Sequence, residues 1–580
     1  MKRISIIIVS VIAALVSSCH EPEYVLPTAD RQGLTSLTAI FTFGPYVDQE
    51  LAKLTIEDDG AERYEIPIPF FFPETSSDET LIYMTKLRVQ AELQPNFKIS
   101  PTLGILDLTE ENWFDYTDPK GNTRKICITG TRTKGTLCDL VSFSVDDLSV
   151  SGIIYKDGSN KLQIPYLDDM SAVSVSAQVS PHATLQKING KNYVPGQKYN
   201  MNSGATVTVL AHDGKTTRTY TVEQSIPELL DMGLRQASIE PLFNLEAVSM
   251  LGLPAFNEEA FVSLAVNDSK LAICTGSKTA PIYVNGYNGS KLGEVNVSGV
   301  TADVIANDEG GHVLFCNYAE GGSSAGEVKI YCSSSFTETP TLLTSFTNFI
   351  SEPVGHRMKI VGDVAKDAVI VLTAEGIAGV TTTAKAIVIR IDGGTVVDTY
   401  SVDFAENGLG WGAAPVSIAT VVPASATPWN DGWYVDYYEN NSDPSVTDTS
   451  ADSYILHHIS AKGKDSHMAL AGNWANNPNC LDLKHFNGAS YMSLFVVSHF
   501  PCWGADPRLY LYDATSAGSI SEVLVNKNIK NNQTGTYDGV FGATGDIAMW
   551  ASLDGYRFFV FYYDHHAQTV GGYVADCFNI

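Results

Sequence analysis

The sequence predicts an all-β protein: two tandem immunoglobulin-like β-sandwiches followed by a β-propeller. Three observations carry that prediction. Short apolar segments alternate with period two and are bounded by Asp-Gly and Gly-rich turns. An internal repeat of sandwich size lies near the N-terminus, and six apolar strand clusters then follow one another to the C-terminus.

At the start of the chain, Lys2 and Arg3 form a basic n-region and Ile4 to Val16 an apolar h-region. Val16-Ser17-Ser18-Cys19 then places small residues before a cysteine, as in a lipobox. The apolar run is shorter than the ~20 residues a membrane-spanning helix needs, and no stop-transfer pattern follows it. Residues 1–18 are therefore expected to be a bacterial signal peptide cleaved before Cys19, with Cys19 acylated and residues 19–30 forming a linker. Several acyl chains, at ~0.8 kcal/mol per buried CH₂, make the lipid bilayer a stable partner.

The repeat comes next. Asp59-Gly60, Tyr64 and Ile66-Pro67 recur at one offset as Asp157-Gly158, Leu162 and Ile164-Pro165. Beyond an insertion in the first copy, Leu87, Val89, Ala91, Leu93 and Pro95 match Val173, Val175, Ala177, Val179 and Pro181. Each copy ends alike, Gly121, Arg124, Ile126 and Ile128 answering Gly214, Arg218, Tyr220 and Val222. Units of roughly 90 to 110 residues with alternating strands have the size of immunoglobulin-like sandwiches. They are placed at residues 31–136 and 137–225 and assigned a spacing role, since their strands carry no chemical constellation.

Residues 226–580 read as the propeller. Glu228 to Met232 suggest a short helical turn. Leu271–Cys274, Val313–Cys316, Val369–Leu372, Trp433–Asp436, Met492–Val497 and Phe558–Tyr562 then look like equivalent strands. Shorter strands precede them, such as Met358–Val361 and Ile547–Trp550, and outer ones follow, such as Val328–Tyr331, Ala386–Ile389 and Leu509–Tyr512. Gly362-Asp363-Val364 and Gly545-Asp546-Ile547 give weak self-similarity. A spacing of roughly 40 to 65 residues is that of four-stranded blades, so six blades are expected, a degenerate seventh and a string of further sandwiches being the alternatives. The last segment, Gly572 to Phe578, can be only an inner or third strand, so Leu245 to Ser249 is expected to supply the missing strand and close the ring.

Composition narrows the function. With 44% hydrophobic and 18% charged residues the 580-residue chain can bury real cores. A net charge of −28 repels polyanions, and no basic stripe is present, so nucleic acid is excluded as a partner. Of nine cysteines, Cys19 is taken by lipid. The other eight form no CxxC pair, so zinc-site spacing is absent, and disulfides such as Cys127–Cys138 or Cys480–Cys502 stand beside buried thiols as equal alternatives.

A lipobox, sandwich repeats ending in the strand Asp213-Gly214-Lys215-Thr216-Thr217-Arg218-Thr219-Tyr220-Thr221-Val222, and a propeller-like region together resemble surface lipoproteins of gut Bacteroidetes. Many of these carry a domain of unknown function and are encoded near Sus-type polysaccharide uptake systems. The resemblance spans the chain and implies an outer-membrane lipoprotein displayed at the cell surface, with Glu21 and Glu23 after the cysteine in keeping with export to the surface. It also implies polysaccharide or oligosaccharide as ligand and outer-membrane uptake transporter components as partners.

Sugar C–H faces stack on flat aromatic rings while hydroxyls need nearby Asp, Asn or Gln. Of the seven tryptophans, Trp411, Trp429, Trp474 and Trp503 stand in loop-like settings beside Gly, Asn or Asp. Together with Asn473 and Asp431 they are the expected ligand-binding residues. Trp433 and Trp550 lie on strands, which bury aromatics. Asp363, Asp436 and Asp546 are candidate acids for a hydrolase or lyase, but their mere abundance singles none out. His457-His458 and Asp564-His565-His566 are poor metal sites, because adjacent strand residues point to opposite faces. The loop Asp443, Asp448, Asp452 lacks EF-hand spacing. No nucleophile elbow, zinc-protease or dinucleotide motif has a fitting context. The expectation is a non-catalytic glycan-binding lipoprotein without metal or cofactor; a protein-binding accessory or adhesin, and a carbohydrate-active enzyme on the propeller, are the alternatives.

Overall fold

The computed structural model describes residues 32–148, 150–257, 261–276, 278–376, 381–412, 418–438, 454–470, 476–516, 522–533, 539 and 544–579. Cys19, Asn473, Trp474 and the acids Asp443, Asp448 and Asp452 lie outside them. The chain is all-β and divides into two compact units, Met1–Ile226 and Pro227–Ile580. Among the described residues no helix is long and apolar enough to cross a membrane.

The first unit contains two double-sheet bodies with matching pairings. In the first body, Leu34–Phe41 pairs antiparallel with Glu50–Thr55 and Leu87–Leu93, while Arg63–Pro69 runs parallel to Thr123–Thr133 in the facing sheet. In the second, Leu140–Val145 pairs antiparallel with Val173–Val179, and Lys161–Ile164 runs parallel to Thr217–Gln224. The internal repeat is thus a repeat of structure. Tyr64, Ile66, Leu87, Val89, Ile126 and Ile128 are buried in one core, and their counterparts Leu162, Ile164, Val173, Val175, Tyr220 and Val222 in the other. Alternation works here because one face of each strand meets the opposing sheet.

The second unit is β-propeller-like. Six four-stranded antiparallel sheets follow in chain order, and their first strands are Ser263–Asn267, Val304–Asn307, Met358–Gly362, Ala419–Pro423, Asn476–Phe486 and Gly545–Ala551. Each of these packs against the first strand of the next sheet, and the sixth packs against the first, so the cycle closes. The six apolar clusters of the sequence are the second strands, one per blade. They are buried on both faces, which turns alternation into continuous apolar runs. Trp433 and Tyr434 are accordingly both buried, in two different cores.

Closure comes from an earlier strand than expected. Glu240–Glu246 is the outer strand of blade 6, paired antiparallel with Thr569–Asp576, whereas Ala247–Leu251 is a helical turn capped by the Glu246 carboxylate. Glu228 to Met232 is not helical: Leu229 bridges Phe578 and Leu230 N–H donates to Cys577 O. The Gly-Asp self-similarity is coincidental, since Gly362-Asp363 ends an inner strand and Gly545-Asp546 begins one. The cysteines from Cys127 to Cys577 are free thiols, six of them buried, so the local disulfides do not form.

An inner strand has a sheet partner on one side only, and its other edge carries unpaired N–H groups. Side chains of neighbouring blades take them. Leu264 N donates to Asp546 Oδ2 (2.9 Å), Val266 N to Asn307 Oδ1 (2.9 Å), Ile305 N to Ser263 Oγ (2.9 Å), Val421 N to Thr373 Oγ1 (3.1 Å) and Met549 N to Asp482 Oδ2 (2.8 Å). Charges also cross the ring. Arg357 Nη1 and Lys359 Nζ, on blade 3, lie 2.8 and 2.9 Å from Asp546 Oδ1 on blade 6, the blade opposite. Arg357 and Lys359 also donate to Gly545 O and Ile547 O. Lys484 of blade 5 pairs with Asp482 and donates to Ile360 O of blade 3. All five side chains are at most 5% exposed, so the ring is plugged by paired charge.

Asp546→Ala would leave two buried cations without their carboxylate and Leu264 N without its acceptor, a loss of about 3–5 kcal/mol. The urea midpoint of the propeller transition should fall, and the triple variant Arg357→Met, Lys359→Met, Asp546→Leu should recover part of the loss. An unchanged midpoint in Asp546→Ala would refute the cross-ring role.

Candidate functional site

The first three strands of each blade run up and down in chain order, so the connections sort by end. Neighbouring inner strands are aligned start to start: Ile305 N donates to Ser263 Oγ and Thr420 Oγ1 to Asn479 O near their beginnings. The turns from first to second strand therefore share one end of the ring. The connections from second to third strand, and from blade to blade, share the other, called here the entry end.

Stacked rings surround the entry end. His356, just before the blade 3 inner strand, lies between Phe261 (ring centroids 4.1 Å apart, 9° between planes) and Tyr318 (4.5 Å, 20°). Its Nδ1 is 2.9 Å from Glu375 Oε1. Phe256 stacks on His566 at 4.2 Å. Trp503 lies parallel to Phe500 (4.6 Å, 11°), and at 70% exposure it is the most exposed tryptophan of the described residues. Three residues further on, Asp506 is held in place: Asn476 Nδ2 donates to Asp506 O, and Asn531 donates through N and Nδ2 to Asp506 Oδ1, each at 3.1 Å.

The same end holds a buried acid beside two histidines. Asp564 is fully buried, and its oxygens accept Ser498 N (2.7 Å) and Ala567 N (2.8 Å). Burial outweighs these hydrogen bonds and pushes its pKa up to about 7. His565 is held neutral, its pKa pulled down to about 4 by burial and then by His566. Its Nε2 accepts Asn257 N, which leaves Nδ1 to donate to Tyr563 Oη at 2.9 Å.

The structure separates the residues expected to bind ligand. Trp411 is a core residue, 2% exposed, with Nε1 donating to Ala374 O at 2.8 Å and its ring packed near Tyr437. Its glycine-rich surroundings let the chain pass close to other backbone and do not expose the indole. Trp429 is exposed but stands at the far end of the ring, with the Arg390 guanidinium 4.6 Å over its face. Asp431 holds its own turn through Ser425 Oγ and Thr427 Oγ1. Of the expected set, Trp503 alone is a described, exposed residue at the entry end. Tryptophan content gives no sign of the His356 ladder, which is built from Phe, His and Tyr. Its trace in the sequence is a histidine beside a strand boundary, as in Gly355-His356-Arg357 and Ser498-His499-Phe500.

His457 and His458 face opposite sides, near Tyr437 and Tyr434 respectively. At the far end Asp308, His312 and Asp363 come together. The buried Asp308 carboxylate accepts His312 N (2.7 Å), His312 Nδ1 (2.8 Å) and Val364 N (2.9 Å), while Lys366 lies 2.8 Å from Asp363. This arrangement clamps the turns of blades 2 and 3 together.

Six cyclically packed blades preceded by two double-sheet bodies define a β-propeller-like protein with its ring aromatics gathered at one end. The family model described as "Domain of unknown function (DUF8500)" matches residues 241–576, more than half of the chain, and the chain belongs to that family. The models for the domains of unknown function DUF5018 and DUF8499 match residues 14–130 and 140–224. No curated protein matches the sequence. Similar solved structures include a DUF4623 family protein from Bacteroides eggerthii (14% identity, 76% of this chain and 98% of that one, TM-score 0.39). An α-L-arabinofuranosidase from Fusarium graminearum (10%, 58% and 97%, TM-score 0.32) and an α-L-arabinanase from Penicillium chrysogenum (9%, 58% and 99%, TM-score 0.33) are also similar.

The acid at the entry end has a signature in pH. Asp564 keeps its proton in the folded protein up to about pH 7, whereas an unfolded Asp releases it near 3.9. Its contribution to stability is full below about pH 4 and is lost as pH rises through about 7. His565, depressed to about 4, gives the opposite slope between about 4 and 6.5. The difference in urea stability between the parent and Asp564→Asn isolates the first effect. It should shift in favour of the variant from pH 4.5 to 8, and a difference constant across that range would refute the raised pKa.

Proposed function

We propose that the protein is a cell-surface lipoprotein that captures polysaccharide without cleaving it, and that the entry end of its propeller carries the binding surface. One observation carries the reading: the Trp503 indole is held flat on Phe500 and is largely exposed, in a loop whose Asp506 is fixed by Asn531. An exposed ring fixed by a second ring offers a sugar an apolar face at little conformational cost, and the half-buried Asp506 and Asn531 supply polar groups in the same region for its hydroxyls. The Phe261–His356–Tyr318 ladder supplies a second flat platform at the same end. The plugged ring directs ligand to this face and away from the axis. In this reading Cys19 bears the acyl anchor at the outer membrane, the double-sheet bodies are immunoglobulin-like spacers, and the six-bladed propeller works beside uptake transporter components.

Affinity electrophoresis of the full chain against a polysaccharide panel tests it. At least one glycan should retard the parent, and Trp503→Ala should weaken that binding about ten-fold, in line with the loss of one well-placed aromatic contact. Failure of every glycan to bind, or release of reducing ends from a bound glycan, would overturn the reading.

A further inference from the structure

The first unit contains a cleft of about 320 Å³ lined by residues of both double-sheet bodies. Phe70, Phe71, Glu74, Lys134, His182 and His212 form its chemistry. Phe71 and His182 stack almost parallel, 3.7 Å between centroids and 10° between planes. His212 stands edge-on to Phe70 at 5.0 Å and tilted against Phe71 at 5.5 Å. The His182 ring is held by Nε2, which donates to Ser76 O at 2.6 Å, and its backbone takes the left-handed φ of 63°. The lining is therefore a wall of flat rings with fixed orientation.

Cations gather at this wall. The Arg132 guanidinium sits 3.5 Å over the Phe70 ring, with Lys134 Nζ at 5.8 Å from the same ring. Arg132 is also paired with Glu79 at 2.9 Å. Burial, followed by Lys134, His182 and Arg132, lowers the His212 pKa, and Asp213 opposes them least. Two cations thus stand at one wall within a chain of net charge −28, Arg132 neutralised by Glu79 and Lys134 lining the cleft itself. Glu74 is the one carboxylate lining the cleft, and its side chain lies against Gly135, where an added Cβ would meet Glu74 Oε1 at 2.3 Å.

We propose that this cleft is a second binding site, for a sugar unit that carries a carboxylate, such as a hexuronate. The ring wall takes the apolar face of the pyranose, and Lys134 with the His212 imidazole takes the carboxylate. A volume at the small end of the ~300–1,000 Å³ typical of ligand sites suits one or two sugar rings. The site goes beyond the propeller reading and does not depend on it.

Titration calorimetry of the full chain with glucuronate and galacturonate, with glucose and benzoate as controls, tests the proposal. A uronate should bind at least about ten-fold more tightly than glucose, and added salt should weaken it. Lys134 and Glu74 are exposed, so variants there keep the fold. Lys134→Gln should weaken uronate binding about five-fold and Glu74→Gln should strengthen it two- to three-fold, while Trp503→Ala leaves it unchanged. The proposal falls if uronate and glucose bind alike, if neither uronate binds, if benzoate binds and the uronates do not, or if Trp503→Ala removes uronate binding while the two cleft variants leave it intact.

Discussion

Arg357, Lys359 and Asp546 meet inside the six-sheet ring with almost no contact with water. Removing such groups from water costs several kcal/mol each, and only close pairing with full hydrogen bonding offsets it. Arg357 Nε finds no acceptor, but the rest of the cluster comes close to that demand because Asp546 serves two needs at once. One oxygen faces the two cations from the opposite blade, and the other accepts the Leu264 N–H that the sheet edge leaves without a partner. The same device recurs with Asp482, which takes Lys484 on one oxygen and Met549 N on the other. The ring therefore holds its circumference through side chains as well as through sheet packing. Side chains from opposite blades consequently meet across its axis.

The two ends differ in kind. The far end is built from tight turns and local clamps such as Asp308 with His312. Ring stacks and the buried Asp564, His565 and His566 collect at the entry end. Burial there pushes the Asp564 pKa up to about 7 and pulls that of His565 down to about 4, so both resist charging in a dry environment. In the first unit a ring-lined cleft bearing Lys134 and two histidines likewise interrupts an acidic protein. Both places combine flat rings with restrained polar groups, reached through unrelated local architectures.

Much of the fold was legible in the sequence. The six second strands stood out because burial on both faces leaves them no polar positions, and the N-terminal repeat stood out because its matched positions are core positions. Pairings between distant residues were not legible. Arg357 and Asp546 are 189 residues apart, and nothing local in either marks the other. Trp411 and Trp503 looked alike as tryptophans near glycine, yet one lies within a core and the other rests on Phe500 in the open. Exposure of a loop aromatic is set by what packs over it, which composition does not encode. The cleft around Phe71 and His182 was invisible for the same reason, since its walls come from both copies of the repeat.

The sixth blade consists of Glu240–Glu246 together with the last three strands of the chain. Five blades can form their hairpins as they emerge, but the circle has no stable closed state until residues near Ile580 are made. Joining Glu240 to Val574 is a contact of very high sequence separation, and such contacts slow folding and leave unpaired edges exposed in the interval. An incomplete chain would be an arc with two open sheet edges. Ring completion therefore waits on the pairing of Glu240–Glu246 with Thr569–Asp576, and the first strand of that pair stays open until the second is folded.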